Sequence, residues 1–265
     1  MHTQELINKL NEWEFKLSAY NLLLSTAYFP PVSYFAAMAQ EMGGLVLRRN
    51  EDTAGCNSPS GRQTEAPELK PATVYIEACE NFQKQSYRNR CYFYGADGVQ
   101  QLQVPVIHEG GTHKQPISEI KIDWSKPWLL QHKRAIISAY RTSAYFEYYQ
   151  DELFAILDSQ PERLFDLNMA IIRFFIEKTG IAVDLRITEN YSREEIICKD
   201  GQDKPCTDLR EAIHPKRPNT ILKDLKLEKP YFQVFSRKHG FQSDLSIMDL
   251  LFNEGPESII YLKNL

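Results

Sequence analysis

Residues 81–90, NFQKQSYRNR, carry three cations and four side-chain amides between VYIEA and CYFY, two segments of strand composition. A connector that merely turns the chain is normally built from Gly, Pro, Ser and Asp. Guanidinium, ammonium and amide groups are instead the donors that hold an oxygen-rich anion such as a diphosphate. Lys84, Arg88, Asn89 and Arg90 therefore form a candidate anion clamp, in which each Arg offers a planar fork and Lys84 a compact charge. A charge-assisted contact of this kind is worth about 1.5–3 kcal/mol when partly desolvated. The same residues also read as a solvated loop whose amides pair with neighbouring backbone.

Glu80 is the acid nearest the clamp. It reads as a general base for an attacking amine if burial raises its pKa, or as the salt-bridge partner of Lys84 or Arg88, which would lower it. His132 falls between Leu129 and Ile136 on one helix face. It reads either as a proton-transfer residue or as a core histidine satisfied by a carbonyl or a tyrosine. Asp208, Arg210, His214 and Lys216 crowd the run CTDLREAIHPKR, stiffened by Pro215, as a substrate-binding loop or a solvated surface. Tyr28, beside Pro30-Pro31, can stack on a base or sugar face, or belong to the core. Asp249 has the place of the acid in an S-x-x-D capping box beginning at Ser246. Asn253 follows one turn later on the same face, so both are second-rank candidates for ligand contact. Asn168 lies on an apolar stripe and needs partners whether it bridges helices or faces a pocket. His108 and His113 sit in a Gly-rich loop. No second histidine stands at ligand spacing from His214, so no metal site is expected. The residues name no cofactor.

The elements that must carry these groups follow from periodicity. Leu6, Leu10, Trp13 and Leu17 give an amphipathic helix over residues 1–20. NLLLSTA predicts a buried strand, Pro30-Pro31 break it, and VSYFAAMAQ predicts a helix. Residues from about 45 to 72 are almost devoid of apolar side chains and predict a flexible insertion. CYFY and VQQLQVPVI flank Gly95-Ala96-Asp97-Gly98, which predicts a hairpin. Three helices are expected over about 126–180, the last ended by Gly180. AVDLRIT and YFQVF predict further strands, and 192–229 reads as irregular. The expected fold class is α/β, a mixed-sheet core with a helical insertion of about three helices, one domain spanning 21–265. In that class the first strand–helix junction, STAYFPPVSYF, is where open sheets bind ligands.

Composition narrows the partners. The chain has 265 residues, 43% hydrophobic and 25% charged, with net charge −4. Nucleic acid is therefore not expected as the main partner. No apolar run approaches the roughly 20 residues of a membrane span, so no membrane insertion is expected. Five cysteines, Cys56, Cys79, Cys91, Cys198 and Cys206, are scattered without a CxxC pair. With no signal-peptide pattern at the start, they point to a cytoplasmic protein.

The order STAYFPPVSYF, VYIEACENFQKQSYRNR, QVPV, PISEIKID, QHKRAI and LSIMDLLFNEGPESI resembles the WbqC-like family from about residue 21 to the C-terminus. The resemblance implies a role in surface-polysaccharide (O-antigen) biosynthesis. It further implies aminoacyl or glycyl transfer to the amine of a nucleotide-linked amino-deoxy sugar, with that nucleotide sugar as the partner. Two acidic residues characterise the family after the strand that precedes the clamp. Here those positions are Ala78 and Cys79, between Glu77 and Glu80. Alternatives are a nucleotidyltransferase-like enzyme built on 22–36, and a non-catalytic ligand-binding protein of the same pathway.

Overall fold

A computed structural model describes residues 21–40, 72–107, 115–191 and 206–265. The expected first helix, most of the polar insertion, and His108 and His113 lie outside the described residues.

Strand β1 (Asn21–Ser25) is buried along its whole length, as an apolar run covered on both faces must be. It pairs in parallel with β2 (Ala72–Glu77) on one side and with β6 (Cys206–Asp208) on the other. Strand β5 (Val183–Ile187) joins the far side of β2, also parallel. The sheet order β5-β2-β1-β6 therefore reverses direction between β1 and β6. A reversal of this kind opens a crevice at the carboxyl ends of the two strands. After β1, helix α1 (residues 32–40) follows the Pro-Pro turn. Its first turn is not free: Val32 N–H donates to the Leu245 carbonyl, and Ser33 gives both N–H and hydroxyl to the Asp244 carboxylate, at 2.8 and 3.0 Å.

The crossover from β2 to β5 contains the clamp segment, a hairpin and the helical block. The hairpin is β3 (Arg90–Gly95) with β4 (Gly98–Gln103), antiparallel around the expected turn. The block is α2 (Trp128–Tyr140), α3 (Phe146–Asp158) and α4 (Leu164–Thr179). Gly180 ends α4 in the left-handed conformation, φ 71°, which only glycine adopts without strain. The class is α/β, and the sheet is resolved into four parallel strands with a separate antiparallel hairpin. One core joins the parts: Leu22, Leu24, Val74 and Ile76 from the sheet pack with Phe35, Ile136, Leu153, Ile172 and Phe175.

Two local expectations are corrected. YFQVF is not a strand: the Phe232 N–H goes to the Glu254 carboxylate at 3.0 Å, and the chain turns at Val234-Phe235 into a short helix, Ser236–His239. The Asp249 carboxylate accepts from the Tyr231 hydroxyl and Gln233 Nε2, at 2.7 Å each, and does not close a capping box. Ser246 caps α5 (Ile247–Glu254) through its hydroxyl and the Met248 N–H, but its own N–H goes to the Tyr92 carbonyl. The short strand β6, inside a stretch read as irregular, escapes periodicity because three residues show no repeat.

Candidate functional site

The clamp segment divides its side chains between two places. Lys84, Asn89 and Arg90 line a cavity of about 380 Å³, joined by Lys126 from just before α2 and by Gln103 from the end of β4. Among the described residues three cations line this space and no carboxylate does. The hairpin explains the convergence: Arg90 opens β3 opposite Gln103, and Val104 N–H donates to the Asn89 carbonyl at 2.8 Å. The Asn89 side chain then returns the contact, Nδ2 donating to the Val104 carbonyl at 2.9 Å. Its Oδ1 and the Nε of Arg90 are buried without a hydrogen-bond partner. Leaving such a group unpaired costs about 1–3 kcal/mol; both atoms are shielded from solvent.

Arg88 goes elsewhere. It is 2% exposed and grips Glu80 with two bonds, Nε to Oε1 at 2.9 Å and a terminal nitrogen to Oε2 at 2.5 Å. The same terminal nitrogen reaches the Ser25 hydroxyl at 2.8 Å. Asn168, from α4, donates to the Arg88 carbonyl at 2.8 Å and so holds the backbone of the segment from behind. Arg88 lines the switch-point crevice with Ser25, Thr26, Tyr34, Leu209 and Arg210. The space left there is about 10 Å³, no more than one water occupies. Protein charges already fill the place where open sheets usually receive a ligand.

A second buried pair completes the plug. Arg210 donates to Glu77 Oε2 at 2.8 Å and to the Asp208 carboxylate. Burial opposes its charge, but hydrogen bonding to Asp208 and the field of Glu77 hold its pKa above the usual arginine value. Glu77 Oε1 accepts from Cys79 N–H and the Thr188 hydroxyl, at 2.8 and 2.7 Å. Both acids that flank Ala78-Cys79 are thus committed to arginines.

The remaining expected residues do not join the cavity. His132 lies behind its wall and is not among the lining residues. Its Nδ1 meets the Tyr28 hydroxyl at 2.9 Å, the other side of the ring bonds the Gln103 backbone, and Trp128 packs edge-on at 4.9 Å. Burial pushes its pKa down to about 4, against that backbone bond. The imidazole is therefore neutral near pH 7 with both nitrogens engaged, as a core histidine is. Tyr28 is fully buried beside it rather than open for stacking. Glu80, held by Arg88, is not presented as a base. His214 Nδ1 accepts from the Lys216 N–H at 3.2 Å on the exposed side of the 208–217 loop. Asp249 and Asn253 are buried, Asn253 Nδ2 donating to the Asp249 carbonyl at 2.7 Å. Lys126 is the one lining cation that sequence reasoning missed; 36 residues beyond Arg90, it stands beside no motif.

The family model for the WbqC-like protein family matches residues 72–209, just over half of the chain and the whole lining of the cavity. The chain belongs to the WbqC-like protein family. It is also similar to an uncharacterised protein of Mycobacterium tuberculosis, Rv1507c, at 27% identity over 195 residues, covering 69% of this chain and 84% of that protein. No solved structure matches the chain. Among the described residues no helix is long and apolar enough to cross a membrane. For a WbqC-like chain, then, the cationic cavity lies wholly within the segment that defines the family.

Proposed function

We propose that this chain is a cytoplasmic transferase of surface-polysaccharide biosynthesis, acting on a nucleotide-linked amino-deoxy sugar whose diphosphate occupies the basic cavity. One observation carries the reading: Lys84, Arg90 and Lys126 line one space, and among the described lining residues there is no carboxylate. Three cations around one cavity, of which Lys126 also pairs with the Asp123 carboxylate at 3.4 Å, favour a multiply charged anion. The reaction class we propose, aminoacyl transfer to the sugar amine, is the one that the resemblance to the family implies. In that reaction the amine nitrogen bonds to the acyl carbon, the bond from that carbon to its activating group breaks, and the amine gives up a proton. The residues of the cavity hold and orient the anion; Arg88, Glu80 and Asn168 hold the segment in place behind it.

Isothermal titration with inorganic pyrophosphate and with a nucleotide diphosphate sugar tests the anion reading. Arg90→Ala and Lys84→Ala should each weaken binding by about tenfold, since charge-assisted contacts are worth roughly 1.5–3 kcal/mol before solvent screening. Binding should also fall as salt rises. Binding that ignores both substitutions removes the cavity from the function.

A second reading, a ligand-binding protein without turnover, is favoured by one finding: His132 and Glu80 are both consumed by internal partners. Mass spectrometry of an amino-sugar nucleotide incubated with an activated aminoacyl donor separates the two, because only the transferase yields the acylated sugar. A nucleotidyltransferase-like role is disfavoured. It needs free amide donors where β1 hands over to α1, and those donors are taken by Asp244 and Leu245.

A further inference from the structure

The outer faces of α2 and α3 carry opposite charge around a thread of exposed apolar side chains. Along α2 and its C-terminal end, Leu130, Arg134, Ile137 and Arg141 recur at helical spacing on one exposed stripe. Leu130 is 52% exposed and Ile137 39%. On α3 the exposed stripe holds Glu147, Tyr148, Asp151 and Ala155, with Tyr148 79% exposed. The two helices lie side by side: Lys133 of α2 pairs with Asp158 of α3 and stands over the Phe154 ring at 5.2 Å. On its other flank α3 meets α4, where Lys178 pairs with Glu152 at 2.7 Å. The inner faces enter the core through Ile136, Leu153 and Leu157. The two outer stripes thus form one continuous face, basic along α2 and acidic along α3. Among the described residues Arg134, Arg141, Glu147 and Asp151 make no ion pair.

We infer that this face pairs with the same face of a second copy of the chain. A two-fold axis parallel to the helices sets α2 of one copy against α3 of the other, antiparallel. Both helices leave one turn in opposite directions, so residues equally far from that turn come level across the axis. Arg141 then stands opposite the partner's Glu147, and Arg134 opposite the partner's Asp151. Ile137 and the partner's Tyr148 fill the space between those levels. Opposite charges meet throughout, whereas α2 against α2 would set arginine against arginine. Helices of this length run about 20 Å and neighbours stand about 10 Å apart, so the face covers roughly 400 Å² in plan per copy. That places it at the low end of specific interfaces, and the dimer is a micromolar one whose register is set by charge. The inference stands apart from the anion reading, because none of the four charged residues lines the cavity.

Sedimentation equilibrium of the full chain, from low micromolar to near-millimolar concentration, tests the pairing. The chain should pass from monomer to dimer, and added salt should weaken the dimer severalfold. Arg134→Glu with Arg141→Glu should leave only monomer, and so should Glu147→Lys with Asp151→Lys, because each double substitution sets like charges face to face. An equimolar mixture of the two variants should dimerise again, since the all-acidic face of one meets the all-basic face of the other. That recovery also shows that both variants are folded. A wild-type chain that stays monomeric at every concentration overturns the inference and leaves the face to a different partner. A dimer that survives either double substitution uses another surface, and a mixture that stays monomeric removes the proposed register; both overturn it as well.

Discussion

Arg88 and Glu80 form the contact on which the clamp segment rests, and a double-mutant cycle measures it. The two side chains are 2% and 5% exposed and share two bonds, at 2.9 and 2.5 Å. Arg88→Met leaves a buried carboxylate with the Ser25 hydroxyl at 3.3 Å as its remaining side-chain partner. Glu80→Leu leaves a buried guanidinium with Ser25 at 2.8 Å and Gln83 at 3.5 Å. Stranding one member of a buried pair typically costs about 3–5 kcal/mol, whereas replacing both by apolar side chains is often close to neutral. Each single substitution should therefore lower stability by about 3–5 kcal/mol, and the double substitution should cost less than either alone. Neighbours that interact through one contact fail additivity by this coupling energy. Urea unfolding of the four proteins reads it as shifts in the midpoint at constant slope. Additive losses, or singles that each cost under about 1 kcal/mol, would refute the claim that this pair anchors the segment.

Two pH-dependent outcomes follow from the other buried groups. Burial pushes the pKa of Asp249 up to about 6, against hydrogen bonds from Tyr231, Gln233 and Tyr140. Below pH 4 the group is protonated in folded and unfolded chains alike; as pH rises through 6 the folded state must accept a buried charge. Its contribution to stability is thus lost across pH 4–6, by on the order of 3 kcal/mol. Urea midpoints should show Asp249→Asn gaining on the wild type over that window, and parallel curves would count against the assignment. His132 has the opposite sign: with its pKa down to about 4, it supports the fold above the usual histidine value, and that support is lost as pH falls towards 4. NMR titration should find the ring neutral at pH 6. Tyr28→Phe, which removes the donor to Nδ1, should raise the midpoint by up to about one unit; a wild-type midpoint near 6.5 would contradict the burial argument.

Much of the scaffold was legible in short-range pattern. The continuous apolar run at 21–25, the hairpin around Gly95-Ala96-Asp97-Gly98 and the helix ended by Gly180 are local features with local causes. The amide- and cation-rich composition of 81–90 was legible too, and three of its four chosen side chains do meet on one cavity. Asp249 misled because S-x-x-D has the spacing of a capping box, while its carboxylate accepts from Tyr231 and Gln233, a segment away.

The sequence by itself determined where most of the strands and helices form and where positive charge is concentrated, because capping, periodicity and composition act over a few residues. Only the tertiary structure decided which charges are available. Arg88 is lost to Glu80 and Ser25, and Arg210 to Glu77, across 63 and 133 positions of chain in the longer contacts. Lys126 is brought to the cavity from another segment. A buried charge must find a partner wherever the fold supplies one, and pairing of that kind leaves no trace in local spacing.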